Sequence, residues 1–213
     1  MRDPALVDDL FLTDERALAA AVARLPAEDA VALPLLGDDV RQPLLEAARQ
    51  MTYRPARPLV GEGARLVRQD FELSVTFPED SPFPRFATAL EGLLRRALVR
   101  LSPQLLDKIQ LNDLIVQHYQ PGSAGITPHR DHVRYEGLVA LVNLAGRARF
   151  CVCTDRSGAN ARELDDGPGV LLLMRAPGFA GRRDRPFHFL KDVSEERYSL
   201  GLRHDIRAGE PMP

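Results

Sequence analysis

Six short extended runs crowd the chain after about residue 108, with no helical pattern between them. They read IQLNDLIVQHY, GLVALVNL, ARFCVCT, GVLLLMRA, PFHFL and RYSLGLRHD, and glycine, proline or polar turns separate them. Strands that follow one another without crossover helices pair antiparallel, so this half predicts a sandwich or jelly roll rather than a parallel α/β sheet. Up to about residue 104 the pattern is mostly helical. Leu90, Leu93, Leu94, Ala97, Leu98 and Leu101 in FATALEGLLRRALVRL recur at helical spacing, so one face packs on something flat and apolar.

The expected architecture is α+β, with N-terminal helices packed on the outer face of a jelly-roll core. In 213 residues of which 45% are hydrophobic, one domain suffices. Its parts are a mainly helical stretch over 1–104 with one strand-like segment, a core over 105–206 and a tail over 207–213 that ends in a frayed AGEPMP. Thr13 is the expected cap of the helix through DERALAAAVARL. Asp39 and Gln42 resemble a capping box ahead of VRQPLLEAARQM, and Ser102-Pro103 stops the leucine-rich helix. In QDFELSVTFP the alternation of Phe71, Leu73, Val75 and Phe77 predicts one half-buried strand.

Net charge is -2, so no global positive field draws the chain to nucleic acid, although local basic patches remain. No apolar run approaches the ~18 residues that span a bilayer. The N-terminal stretch carries acids where a signal peptide needs basic and then apolar residues, so a cytoplasmic location is expected. Cys151 and Cys153 share one strand face, are poor disulfide partners and read as reduced core thiols.

The chemistry concentrates in GITPHRDHVRYEG, residues 125–137 of a chain with only 5 histidines. In extended backbone His129 and Asp131 project to one side, and Arg130 and His132 to the other. One imidazole and one carboxylate make two ligands for a divalent metal. The third must come from elsewhere, and His118, His188 and His204 remain. His188 sits in a short strand-like run where a sandwich can bring a distant residue across. Two histidines and one carboxylate leave coordination positions open, which suits Fe(II) that binds a co-substrate and O₂ together.

In RYSLGLR, residues Arg197, Ser199, Gly201 and Arg203 share one face, and Tyr198, Leu200 and Leu202 the other. The two arginines stand roughly 20 Å apart along such a strand, and Gly201 leaves space between them. Their guanidiniums fit a dicarboxylate; the plainer alternative is an edge strand with solvated arginines.

Taken together, HxD, a distant His and R-x5-R resemble the Fe(II)/2-oxoglutarate-dependent dioxygenases, most closely the AlkB-like branch, over about residues 108–206. The resemblance implies a double-stranded β-helix (jelly-roll) core, iron held by His129, Asp131 and His188, and 2-oxoglutarate held by Arg197 and Arg203. The family's Asn-x-Tyr pair matches Gln117-His118-Tyr119, so Tyr119 fits and Gln117 departs by one methylene. Ser199 falls where a small polar residue lies beside the co-substrate. The implied reaction oxidises a C–H bond with O₂, by hydroxylation or oxidative demethylation, and releases succinate and CO₂. His132, His118 and His204 are expected outside the ligand set, beside the site or at the surface.

AlkB-like enzymes commonly act on alkylated nucleobases flipped into the pocket. Basic positions that could grip phosphates are Arg54, Arg57, Arg65, Arg68, Arg182, Arg183 and Arg185, and candidate stacking residues are Tyr53, Phe71 and Tyr135. The low aromatic content of 6% and the acidic balance slightly favour a small molecule or protein side chain. From another class come a non-catalytic jelly-roll binding module and a zinc site on His129, His132 and a carboxylate; both leave the arginine pair unexplained.

Overall fold

Asp14, not Thr13, caps the helix over Glu15–Glu28. Its carboxylate accepts from the Ala17 amide at 2.7 Å, while the Thr13 hydroxyl donates to the Pro34 carbonyl and ties the helix entry to the next strand. The computed structural model describes residues 10–99, 101 and 103–208. The residues 209–213 of the expected frayed tail, the first nine residues and Ser102 of the expected helix stop lie outside the described residues.

Helix α1 (Glu15–Glu28) buries Leu18, Ala21, Val22 and Leu25, one stripe at i, i+3, i+4 and i+7. Strand β1 (Ala30–Pro34) follows. Helix α2 (Asp38–Arg49) starts earlier than its sequence pattern suggests. Gly37 is its N-cap, no side chain caps it, and Asp38 pairs with Arg41 at 2.7 Å, so the expected capping box at Asp39 and Gln42 does not form. Short strands β2 (Arg54–Pro55), β3 (Leu59–Val60), β4 (Val67–Asp70) and β5 (Glu72–Ser74) come next.

Helix α3 (Pro82–Leu98) has Ser81 as N-cap and Pro82 in its first turn, where a missing amide costs nothing. It ends at Leu98, short of Pro103, and Leu101 is exposed rather than on the packed face. Leu94 is fully buried in the same stripe. Leu94→Ala should cost about 2–5 kcal/mol in denaturant unfolding; a loss below about 1 kcal/mol would contradict the packing described.

The remaining strands are β6 (Asp113–Tyr119), β7 (Gly125–His129), β8 (Tyr135–Ala145), β9 (Arg149–Cys153), β10 (Arg162–Leu164), β11 (Val170–Arg175), β12 (Phe187–Lys191) and β13 (Arg197–Asp205). Two antiparallel sheets result, ordered β1-β11-β8-β13-β6-β5-β2 and β10-β9-β12-β7-β4-β3. This is the jelly-roll core, and the three helices cover the outer face of the seven-stranded sheet. Leu90, Leu94 and Leu98 of α3 share one apolar cluster with Tyr198, Leu200 and Leu202 of β13. A second cluster lies between the sheets and joins Leu141 and Leu172 to Phe150 and Leu190.

Two expectations need correction. The described residues of 1–104 supply five strands rather than one strand-like segment. QDFELSVTFP is not one strand: β4 pairs with β7 in one sheet and β5 pairs with β6 in the other, so the chain crosses between sheets at Phe71. Val75, beyond the crossing, is 51% exposed. Cys151 and Cys153 are free, buried and packed beside Phe189 and Phe187, as their spacing predicts.

Candidate active site

Strands β7 and β12 are neighbours, and His129 pairs directly across from His188. Directly opposed residues project to the same face, and the two rings stand 4.2 Å apart between centroids. A one-residue irregularity follows His188 in the ladder. The close approach of the strands depends on Gly125: its φ is +73°, and a Cβ there would lie 2.0 Å from the Leu190 carbonyl oxygen.

Asp131 sits two residues past the end of β7, and its Oδ1 is 3.9 Å from His129 Nε2 and 3.7 Å from His188 Nε2. The His129 Nδ1–H donates to the Thr127 carbonyl at 3.0 Å, which fixes the tautomer and leaves Nε2 as the free donor atom. One donor atom from each residue lies within 4.8 Å of the others, the only such group among the described residues. Burial, then the neighbouring His188 ring, pushes the His129 imidazole down to about 3, and burial lowers His188 also. Burial acts to raise the Asp131 carboxyl, but its neighbours His188, Arg203, His129 and Arg185 together prevail and hold it low. Two neutral imidazoles and an ionised carboxylate are the protonation states a divalent metal requires. The Asp131 Oδ2 is buried without a hydrogen-bond partner. The donor set and this orphaned oxygen fit a bound metal ion.

All eight residues singled out in the sequence line one cavity between the sheets, walled by Ile126, Leu141, Phe150 and Leu190. Strand β13 is central, between β8 and β6, so its arginines do not lie on an edge. Arg197 is 2% and Arg203 8% exposed. Across the β13–β6 ladder Arg197 pairs with Tyr119 and Ser199 with Gln117, and the Ser199 hydroxyl donates to Gln117 Oε1 at 3.5 Å. Gly201 leaves room for its neighbours: a Cβ there would lie 2.9 Å from both Arg203 Nη1 and Ile115 Cγ2, so one of these side chains would have to shift. The two arginines serve different ends of the cavity. Arg203 Nε is 3.9 Å from Asp131 Oδ2 and its Nη1 is 3.5 Å from Asp113. Arg197 lies over the Tyr119 ring at 5.4 Å.

Sequence reasoning missed Asp166. Its Oδ2 accepts from Arg197 Nη2 at 2.7 Å with both side chains at most 2% exposed. Burial raises its carboxyl, against the pull of Arg197. Arg197 Nε and Asp166 Oδ1 remain buried and unpartnered. Arg185, a basic position in the sequence, donates to the Asp131 main-chain carbonyl.

The other histidines stay out of the triad. His132 is exposed and its Nδ1 accepts from the Arg134 amide at 3.3 Å. His204 is partly buried beyond the triad. His118 projects to the helix side, as parity predicts, but it is buried rather than at the surface. It stacks on Tyr198 at 4.4 Å and lies 3.0 Å from both Glu72 and Glu196. The three candidate stacking rings are in use: Tyr53 packs on His118, Phe71 on Tyr119, and Tyr135 under Arg203. Of the basic positions, Arg54, Arg57, Arg65, Arg68 and Arg183 are exposed, and Arg182 is paired with Asp184 at 2.9 Å. No helix among the described residues is long and apolar enough to cross a membrane.

No protein-family model and no curated protein sequence matches the chain. Solved structures do. A prolyl hydroxylase from Trichoplax adhaerens, in complex with a hypoxia-inducible-factor peptide fragment, aligns with TM-score 0.68 over 96% of this chain and 94% of its own at 13% identity. A prolyl-4-hydroxylase from Pseudomonas putida aligns with TM-score 0.62 over 88% and 98% at 17% identity. An oxidoreductase of the 2OG-Fe(II) oxygenase family from Burkholderia pseudomallei aligns with TM-score 0.56 over 90% and 91% at 15% identity. At these identities the likeness is one of fold.

Proposed function

We propose that this chain is an Fe(II)- and 2-oxoglutarate-dependent dioxygenase that oxidises a C–H bond and releases succinate and CO₂. One observation carries the reading: two imidazole nitrogens and a carboxylate oxygen converge at one end of a buried cavity, while at the other end a buried arginine keeps an unpaired Nε. Such a cavity suits a metal-chelating acid with a second, distal carboxylate.

His129 Nε2, His188 Nε2 and Asp131 Oδ1 would hold the iron, which supplies open positions for the 2-oxo acid and O₂ and the redox chemistry that joins them. The chain's own residues do the rest. The Arg197 guanidinium, its plane braced by Asp166 and Tyr119, takes the distal carboxylate. The Tyr119 hydroxyl, kept protonated by burial, donates to it, with Ser199 and Gln117 alongside. Arg203 balances Asp131 at the metal end. Ile126, Leu141, Phe150 and Leu190 exclude water from the cavity, which strengthens each of these contacts.

The AlkB-like assignment rests on the R-x5-R pair, both members of which reach the cavity. For the prime substrate, alkylated nucleobases are one reading. A protein side chain or small molecule is the second, and two observations favour it: the three candidate stacking rings are packed, and the fold neighbour from Trichoplax is bound to a peptide. A panel of methylated oligonucleotides, peptides and small metabolites, read for succinate above the uncoupled rate, tests this. Stimulation by oligonucleotides alone would overturn the second reading, and stimulation by peptides or metabolites alone the first.

A further inference from the structure

Three arginines flank the outer side of the HxD loop with no carboxylate within ion-pair distance. Arg130, between the ligands His129 and Asp131, lays its guanidinium over the Phe187 ring at 4.0 Å, and Arg156 approaches the same ring at 5.6 Å. Arg185, two residues before Phe187, donates only to the Asp131 carbonyl. Among the described residues none of the three has an ion pair, and Arg156 Nη1 is buried with no hydrogen bond at all.

The nearby acids are already committed. Asp29 and Asp184 each bind Arg175 at 2.6 Å, Asp184 also binds Arg182 at 2.9 Å, and Glu28 binds Arg24 at 3.3 Å. Like charges gathered on one aromatic ring are unfavourable unless a counter-anion joins them, and this cluster sits in a chain of net charge -2. A cleft of about 470 Å³ opens beside it, with Arg130, Arg185, Phe187 and Asn160 in its wall, together with the paired acids Glu28, Asp29 and Asp184.

We propose that this cleft binds a phosphate-type oxyanion, gripped by Arg130 and Arg185, with Arg156, outside the wall but near the Phe187 ring, adding charge. Guanidinium forks match phosphate oxygens in pairs, and Asn160, whose Nδ2 gives one hydrogen to the Thr154 hydroxyl at 3.4 Å, keeps a second amide hydrogen in the wall. The site is separate from the cavity of Arg197, and the inference does not rest on the reaction proposed above. Free phosphate, a phosphomonoester and a nucleic-acid phosphodiester share this chemistry. Whichever supplies it is held beside the HxD loop, because Arg130 lies within that loop and Arg185 holds its carbonyl.

The test is calorimetric titration of the full chain with inorganic phosphate at fixed ionic strength. Saturable binding is expected. Arg130→Gln should weaken it by about tenfold or more, the scale of one lost charged hydrogen bond, and Arg156→Gln by a smaller factor. Arg156 lies in a loop, so that variant keeps the test valid if Arg130→Gln fails to fold. Arg85→Gln, an exposed change on α3, should leave binding unchanged. Phosphoserine and a single-stranded oligonucleotide, each competed against phosphate, then identify the source. Absence of phosphate binding, binding that neither Arg130→Gln nor Arg156→Gln weakens, or binding abolished by Arg197→Gln would overturn the site.

Discussion

Asp131→Ala should lower divalent-metal affinity by more than about 100-fold in a calorimetric titration, since loss of a mere outer partner already costs 10–100-fold. Three physical effects add. The site loses its one anionic ligand, the imidazoles of His129 and His188 are left facing each other at 4.2 Å, and Arg203 loses the carboxylate 3.9 Å away. Asp131→Asn keeps the volume and should still lose most of the affinity, which separates charge from packing. Affinity within about threefold of the parent in both variants would place the metal elsewhere.

Arg197→Gln should have two separable effects. The first is on the 2-oxoglutarate requirement: KM rises by roughly 100-fold, the worth of a bidentate charged contact. The second is on stability. Asp166 would be left as a buried carboxylate with no cation, which typically costs about 3–5 kcal/mol. The double variant Arg197→Gln/Asp166→Asn removes both charges and should recover much of the stability while the KM defect persists. Denaturant unfolding and steady-state kinetics on the four forms of the cycle check this. A stability defect in the double variant equal to the single one would mean that the pair is not a coupled unit. An unchanged KM in Arg197→Gln would move the co-substrate away from β13.

Strand β13 was the most legible element, because a central strand buried on both faces sorts its residues by parity. Tyr198, Leu200 and Leu202 pack on the helices, and Arg197, Ser199 and Arg203 face the cavity. The HxD pair was legible for the same reason, although Asp131 lies just beyond the strand end. The choice of His188 depended on the two strands being neighbours, a tertiary fact that its position in a strand-like run only suggested. The crossing at Phe71 had no visible mark, since the hydrophobic alternation of QDFELSVTF continues through it. Strand β1 is apolar without alternation, and β2 and β3 are two residues each, too short for any period to register. Asp166 was invisible because an acid in LDDGPG reads as a solvated turn. Its role exists only once Arg197 is folded against it.

The most direct test of the central claim is succinate formation from 2-oxoglutarate by the purified chain, without any prime substrate. Slow uncoupled turnover is expected that requires both Fe(II) and O₂ and disappears in His129→Ala and Asp131→Ala. No succinate from a metal-loaded, folded chain, or equal succinate from Asp131→Ala, would contradict the assignment.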